Sequence, residues 1–180
     1  AQAVTWRAEG HGVALATVVR TWGSSPCPVG SHLIIRDDGA FEGSVSGGCI
    51  EGEVVTEALA CIRGGTCKTL DFGIANEDAW RVGLACGGKV SVFVSNINDA
   101  ASAVLNALEG AKASGQQAAL LSDPETGTLA LWADHTVSMG ELQPTATQTD
   151  ALAERFAADR SGMLDDQNGA PLFARVYNPH

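Results

Sequence analysis

Two short stretches pair a thiol with consecutive glycines, and they are where chemistry is most easily built. In Ser46-Gly47-Gly48-Cys49-Ile50-Glu51 the serine suits a helix N-cap, the glycines open the first turn, and Cys49 falls on its third residue. The first N–H groups of a helix have no intrahelical acceptor, and glycine lets a ligand approach them closely, so an anion can dock there. A cysteine in that turn feels the same field, which favours thiolate and makes the sulfur a better nucleophile or soft-metal ligand. Cys86-Gly87-Gly88 repeats the pairing, with successive N–H groups suited to an anion-binding nest. If the sheet brings the clusters together, they present two sulfurs and two sets of backbone donors. The rival readings are simpler: free cysteines are often buried as small apolar groups, and two glycines before a strand often make only a turn.

Around these clusters stand weaker candidates. Ser24 and Ser25 can donate to an anion or cap turns in their Gly/Pro loop. Cys27 sits between prolines in that loop, where a thiol is as readily incidental as exposed at a site. Glu51 suits the positive end of a helix dipole, or can accept from a ligand's amino groups. Cys61 and Cys67 read as core or neutral positions. His11 and His32 lack a partner at ligand spacing, and Cys-x-x-Cys is absent, so no metal held by protein ligands alone is expected.

The elements that position these residues are legible from periodicity. Val13 to Arg20 is a nearly continuous apolar run, expected to be a strand buried on both faces. A loop over 21–30 follows, then a hairpin of His32 to Arg36 and Ala40 to Ser44 about Asp37-Asp38-Gly39. It leads into a helix capped by Ser46 and stopped by Arg63-Gly64-Gly65. Lys68 to Phe72 reads as a short strand, and Lys89 to Ser95 as a half-buried one, since Val90, Val92 and Val94 alternate with Ser91, Phe93 and Ser95. Asp71-Phe72-Gly73 lacks every companion of the kinase motif it spells. Beyond it, a helix over Asp99 to Ala113, a hairpin of Ala118 to Leu121 and Thr128 to Trp132, a helix over Asp150 to Asp159 and a strand over Pro171 to Tyr177 are expected. Leu142 to Thr149 reads as a surface loop. Residues 96–180 show no internal repeat.

With 180 residues and 45% hydrophobic content the chain can bury one sizeable core or two small ones. Its net charge of −10 is uneven: residues 1–95 carry seven Lys/Arg against ten Asp/Glu, and residues 96–180 four against eleven. An acidic chain without a basic run is a poor match for nucleic acid or an anionic membrane, and no apolar run approaches the length of a membrane span. Five cysteines, an odd number without paired spacing, indicate reduced thiols and a cytoplasmic location.

Taken together, Ala16-Thr17-Val18-Val19-Arg20-Thr21-Trp22-Gly23-Ser24-Ser25-Pro26, Gly43-Ser44-Val45-Ser46-Gly47-Gly48-Cys49-Ile50-Glu51 and Gly83-Leu84-Ala85-Cys86-Gly87-Gly88 resemble the XdhC/CoxI family, accessory proteins that mature molybdenum hydroxylases. The later half resembles it more weakly, mainly in Arg175-Val176-Tyr177-Asn178-Pro179. The resemblance implies a chaperone that binds the molybdenum cofactor, protects it while a cysteine desulfurase helps to install its sulfur ligand, and hands it to an apo molybdenum hydroxylase such as xanthine dehydrogenase or carbon monoxide dehydrogenase. By that analogy Ser46, Gly47, Gly48 and Cys49 with Cys86, Gly87 and Gly88 form the pocket, and the two sulfurs are soft contacts to molybdenum. Ser24, Ser25 and Glu51 join as candidate cofactor contacts.

Two departures qualify the analogy. Longer members continue from a segment like Tyr177-Asn178-Pro179 into a Rossmann-type domain, which makes this chain a fragment or a short member, with a separate Rossmann chain and a homodimer as conceivable partners. Cys27 also stands where a basic residue is common. The expected fold is α+β, a mixed sheet with helices packed on it and the Gly-Gly-Cys helix start at the site. Residues 1–95 would form the motif-bearing domain, and residues 96–180 an acidic α+β half, either separate or packed with the first. A cysteine-dependent sulfur-relay enzyme with Cys49 as nucleophile, and a docking half of a split accessory protein, are the alternative functions.

Overall fold

The apolar run from Val13 becomes the central strand of a sheet because both of its faces find cover. The computed structural model describes residues 1–180 apart from Ser24, Pro26, Cys49 and residues 74–87. In it β1 (Val13–Trp22) lies between β2 (His32–Arg36) and β5 (Lys89–Asn96), with β3 (Phe41–Gly43) outside β2 and β4 (Cys67–Phe72) outside β5. A second sheet is built from β6 (Ala118–Ser122), β7 (Leu129–Ala133), β8 (Thr136–Gly140), β9 (Gly162–Leu164) and β10 (Leu172–Tyr177), in the order β8-β7-β6-β10-β9. Each of these strand pairings is antiparallel. The expected single mixed sheet is therefore corrected to two antiparallel ones, in keeping with short turns that can join antiparallel but not parallel neighbours.

Helices carry the chain across these sheets. α2 (Glu51–Gly64) links β3 to β4, the two edges of the first sheet, and α4 (Ala146–Ala158) links β8 to β9, the two edges of the second. α1 (Gln2–Ala8) precedes β1 as α3 (Asp99–Ala113) precedes β6. Element order and strand order thus repeat: α1-β1-β2-β3-α2-β4-β5 has the same path as α3-β6-β7-β8-α4-β9-β10. The match extends to single residues. Gly43 pairs with Leu33 at the end of β3, Gly140 pairs with Ala130 at the end of β8, and both adopt φ of 100°.

The strand β1 serves two cores at once. Ala14, Ala16 and Val18 pack with Val54, Ala58 and Cys61 of α2, while Val13 and Leu15 face Trp6 of α1 and Val104 and Leu108 of α3. The expectation of burial on both faces holds from Val13 to Val19. For β5 the half-buried expectation is overturned: Ser91, Phe93 and Ser95 are buried along with the valines, because Phe93 meets Val19 and Phe173 of the second sheet. Ala119 and Leu121 turn to a further core under α4, with Leu152, Leu164 and Val176.

The stretch before α4, expected to be a loop, is a helix start. Thr145 caps it with Gln148 as the reciprocal partner, the S/T-x-x-Q signature of a capping box. Gln148 is 2% exposed. Its Oε1 accepts from Thr145 N at 3.1 Å, and its Nε2 donates to the carbonyls of Leu164 at 3.1 Å and Ala170 at 2.8 Å. Gln148→Leu keeps the bulk but strands these groups, and should cost about 3 kcal/mol in urea unfolding. A loss within the error of the wild type would show that water replaces all three bonds.

Candidate functional site

One end of the first sheet collects the described motif residues. Trp22 pairs with Lys89 and Leu33 with Gly43, so the loop after β1, the turn before α2 and the start of β5 all leave the sheet together. Gly88 is buried against Gly23: a side chain on Gly23 would lie 3.7 Å from the Gly88 Cα. Across the same end the Cys27 Sγ is 3.7 Å from the Ser44 Oγ. Ser25 donates to the Cys27 carbonyl at 3.0 Å, which is the turn-capping role. Ser24, Cys49, Cys86 and Gly87 lie outside the described residues.

The turn from Ser44 to Gly48 departs from the expected helix start. Gly47 and Gly48 adopt φ of 71° and 107°, left-handed values that L side chains resist, so the chain turns there and α2 begins only at Glu51. Ile50, not Ser46, is the residue at the N-cap. The left-handed stop at Gly65 is as expected, with φ of 63°.

Glu51 explains what the turn is for. Its Oε1 accepts from the Ser44 hydroxyl at 2.7 Å and from the amides of Val45 at 3.2 Å and Ser46 at 3.0 Å. Its Oε2 accepts from the Ser46 hydroxyl at 2.5 Å and the Gly48 amide at 3.0 Å. The amides of Val45, Ser46 and Gly48 therefore bind the protein's own carboxylate. Burial by itself would raise the Glu51 pKa, but the bonds from Ser46, Ser44 and the backbone outweigh it and hold the carboxyl at about 2. Glu51 is a lock on the turn as well as a charge at the helix start.

The residue that sequence reasoning misses is Ser44. It donates to Glu51, accepts from the Gly47 amide at 2.9 Å and receives the Cys27 thiol, so thiol, hydroxyl and carboxylate form one chain. The signal in the sequence is two serines, Ser44 and Ser46, ahead of an acid at a helix start. Gly47 and Gly48 themselves stay exposed, and among the described residues beyond its chain neighbours nothing lies within 4 Å of where a Gly48 side chain would stand. None of these described residues stands between a ligand and that backbone.

Cys61, Cys67, His11 and His32 are tied into the fold. Burial raises both the Cys61 and the Cys67 thiol, which keeps them protonated and unreactive. His11 Nδ1 pairs with Asp37 at 3.1 Å, and the half-buried His32 has its pKa lowered to about 4 by desolvation first and then by Arg175 and Lys112. Among the described residues no group of three or more His, Cys, Asp or Glu could hold a metal ion, and no helix is long and apolar enough to cross a membrane.

Residues 6–73 match the XdhC and CoxI family. The chain is 33% identical over 122 residues to the molybdenum cofactor insertion chaperone PaoD of Escherichia coli, covering 67% of this chain and 37% of that protein. It is 29% identical over 85 residues to a protein of Bacillus subtilis described as a probable xanthine dehydrogenase component, covering 46% of this chain and 26% of that protein. The chain thus spans well under half the length of these curated relatives. A crystal structure of a xanthine dehydrogenase from Bacillus halodurans superposes with a TM-score of 0.73 over 97% of this chain and 51% of that one, at 20% identity, a likeness of fold. The chain belongs to the XdhC and CoxI family and carries its N-terminal domain.

Proposed function

We propose that this chain is a cytoplasmic chaperone that holds the molybdenum cofactor as cargo during sulfuration and delivers it to an apo molybdenum hydroxylase of the xanthine dehydrogenase or carbon monoxide dehydrogenase type. The observation that carries the reading is the 33% identity over 122 residues to the molybdenum cofactor insertion chaperone PaoD. The geometry supports it in two ways. The glycine turn leaves an open, exposed backbone next to Cys49, and the loop bearing Cys27 closes on the same end of the sheet. Cys49 and Cys86 are the proposed soft contacts to the metal, with Ser24, Ser25, Gly47, Gly48, Gly87 and Gly88 around them.

Glu51 and Ser46 change role in this reading. They shape the turn and do not meet the cargo's phosphate, because their donors and acceptors are engaged within the turn and the helix start. A cysteine desulfurase is the proposed second partner, with a separate Rossmann chain or a second copy as further ones. Residues 1–95 carry the cargo contacts in this proposal, and the acidic residues 96–180 serve docking.

Cys49→Ala is expected to weaken retention of the cofactor about tenfold or more, the scale of losing one metal contact. Co-purification of cofactor with the variant, measured by molybdenum content and pterin fluorescence, checks this; equal retention removes Cys49 from the site. Mass spectrometry after incubation with desulfurase and cysteine tells a carrier from a sulfur relay, since only a relay gains a persulfide on Cys49.

A further inference from the structure

The closing motif of the chain, Arg175 to Pro179, has no part in the site just described. It lines a cleft of about 510 Å³ between the end of β10 and the C-terminal end of α3. Two cations meet there on one aromatic ring: the Arg175 guanidinium lies 5.1 Å and the Lys112 ammonium 5.0 Å from the centre of Tyr177. In a chain with net charge −10, such a pairing of like charges is unexpected.

The nearby carboxylates do not account for it. Among the described residues Arg175 has no carboxylate partner; its Nη1 makes a long bond of 3.4 Å to the Ser161 hydroxyl, and its Nε is buried without a partner. Asp159 lines the cleft, but it is engaged by the Asn178 amide at 2.8 Å. Of the two cations Glu109 reaches only Lys112, at 3.4 Å, through a half-exposed pair of the kind that contributes little. The positive field extends inward as far as the half-buried His32, whose Nε2 also lacks a hydrogen-bond partner among the described residues.

We propose that this cleft binds a ligand through a phosphate monoester group, with Arg175 as the fork and Lys112 as the point charge. A planar guanidinium matches two phosphate oxygens at once, and an ammonium adds a compact charge, so the pair complements a dianion better than a single carboxylate. The space is of the size that holds a small organic ligand beyond the phosphate itself. Gly30 is part of the design. A side chain there would come within 2.8 Å of the Arg175 Cδ and 2.9 Å of its Nη1, so a glycine at that position leaves room for the guanidinium. The inference does not depend on the cofactor-carrier reading.

Tyr177 is the chain's single tyrosine and reports directly on the cleft. Its ring protons are followed by NMR while inorganic phosphate, and separately glycerol 2-phosphate, is added at constant ionic strength. The expected result is a saturable shift with both probes. It should be abolished by Arg175→Gln, moved about tenfold to higher concentration by Lys112→Gln, and unchanged by Lys68→Gln, which is remote and paired with Glu57. The Lys112 side chain is 41% exposed, so its replacement keeps the fold even if that of Arg175 does not. A shift that never saturates, or the same midpoint in wild type and Lys112→Gln, overturns the proposal.

Discussion

Glu51→Ala should unfold about 3 kcal/mol more easily than wild type, the scale of leaving several buried neutral donors without their charged acceptor. The carboxylate is 7% exposed and accepts from two hydroxyls and three backbone amides. Alanine leaves these donors facing one another around an empty centre, and only those near the exposed glycines can turn to water. Urea midpoints give the comparison. A loss below about 1 kcal/mol would mean that the turn holds itself without the carboxylate.

The same lock makes stability depend on acid. Glu51 is held at about 2 in the folded chain, below the usual carboxylate value of about 4.3 in the unfolded one. A carboxyl depressed by folding contributes fully above its unfolded value, and the contribution disappears as pH falls towards the folded value. Wild type should therefore exceed Glu51→Gln by a constant margin at neutral pH, and the margin should shrink from about pH 4.5 down to about pH 2. Parallel curves over that window would assign the acid sensitivity to other carboxylates.

Gly43→Ala is the second large effect. The residue combines a φ of 100° with a neighbour that cannot move: an added Cβ would lie 2.3 Å from the His32 carbonyl oxygen, a backbone atom of the paired strand. Left-handed strain and a backbone clash add, for a loss of about 4 kcal/mol. The clash also pushes on Ser44, whose amide donates to that same carbonyl at 3.1 Å, so the turn around Glu51 should loosen with it. Thermal unfolding measures the loss, and Gly140→Ala is the internal control, because its Cβ would meet the Leu129 carbonyl at 2.6 Å in the equivalent place. Two substitutions that leave the melting temperature unchanged would show that the strand ends relax freely.

Much of this is legible from periodicity. The apolar run at Val13, the helix over Asp99 to Ala113 and the Gly65 stop all follow from local pattern, and the structure keeps them. What fails depends on distant partners. The alternation in β5 indicates one wet face, but the second sheet covers it through Phe93 and Phe173. Ser46 has the right chemistry for a cap, yet two left-handed glycines delay the helix, and the serine hydroxyl goes to Glu51 and to the Ile50 amide. The α4 start hides inside a polar stretch whose capping box has the composition of a loop. At the site, the glycine turn, the acid and the neighbouring loop are visible as motifs. That the acid fills the turn's own donors is not, because it depends on a side chain folding back against the direction of the helix.

The shared path of α1 to β5 and α3 to β10 lets one half be compared with the other. The two halves pose the same architectural problem, and each solves the junction before its crossing helix differently: a carboxylate inside a glycine turn in one, a neutral amide inside a capping box in the other. The same path of strands and helices thus tolerates two chemically different junctions, one ionic and one neutral. The later half therefore serves as an internal reference for the scaffold without a carboxylate in that turn.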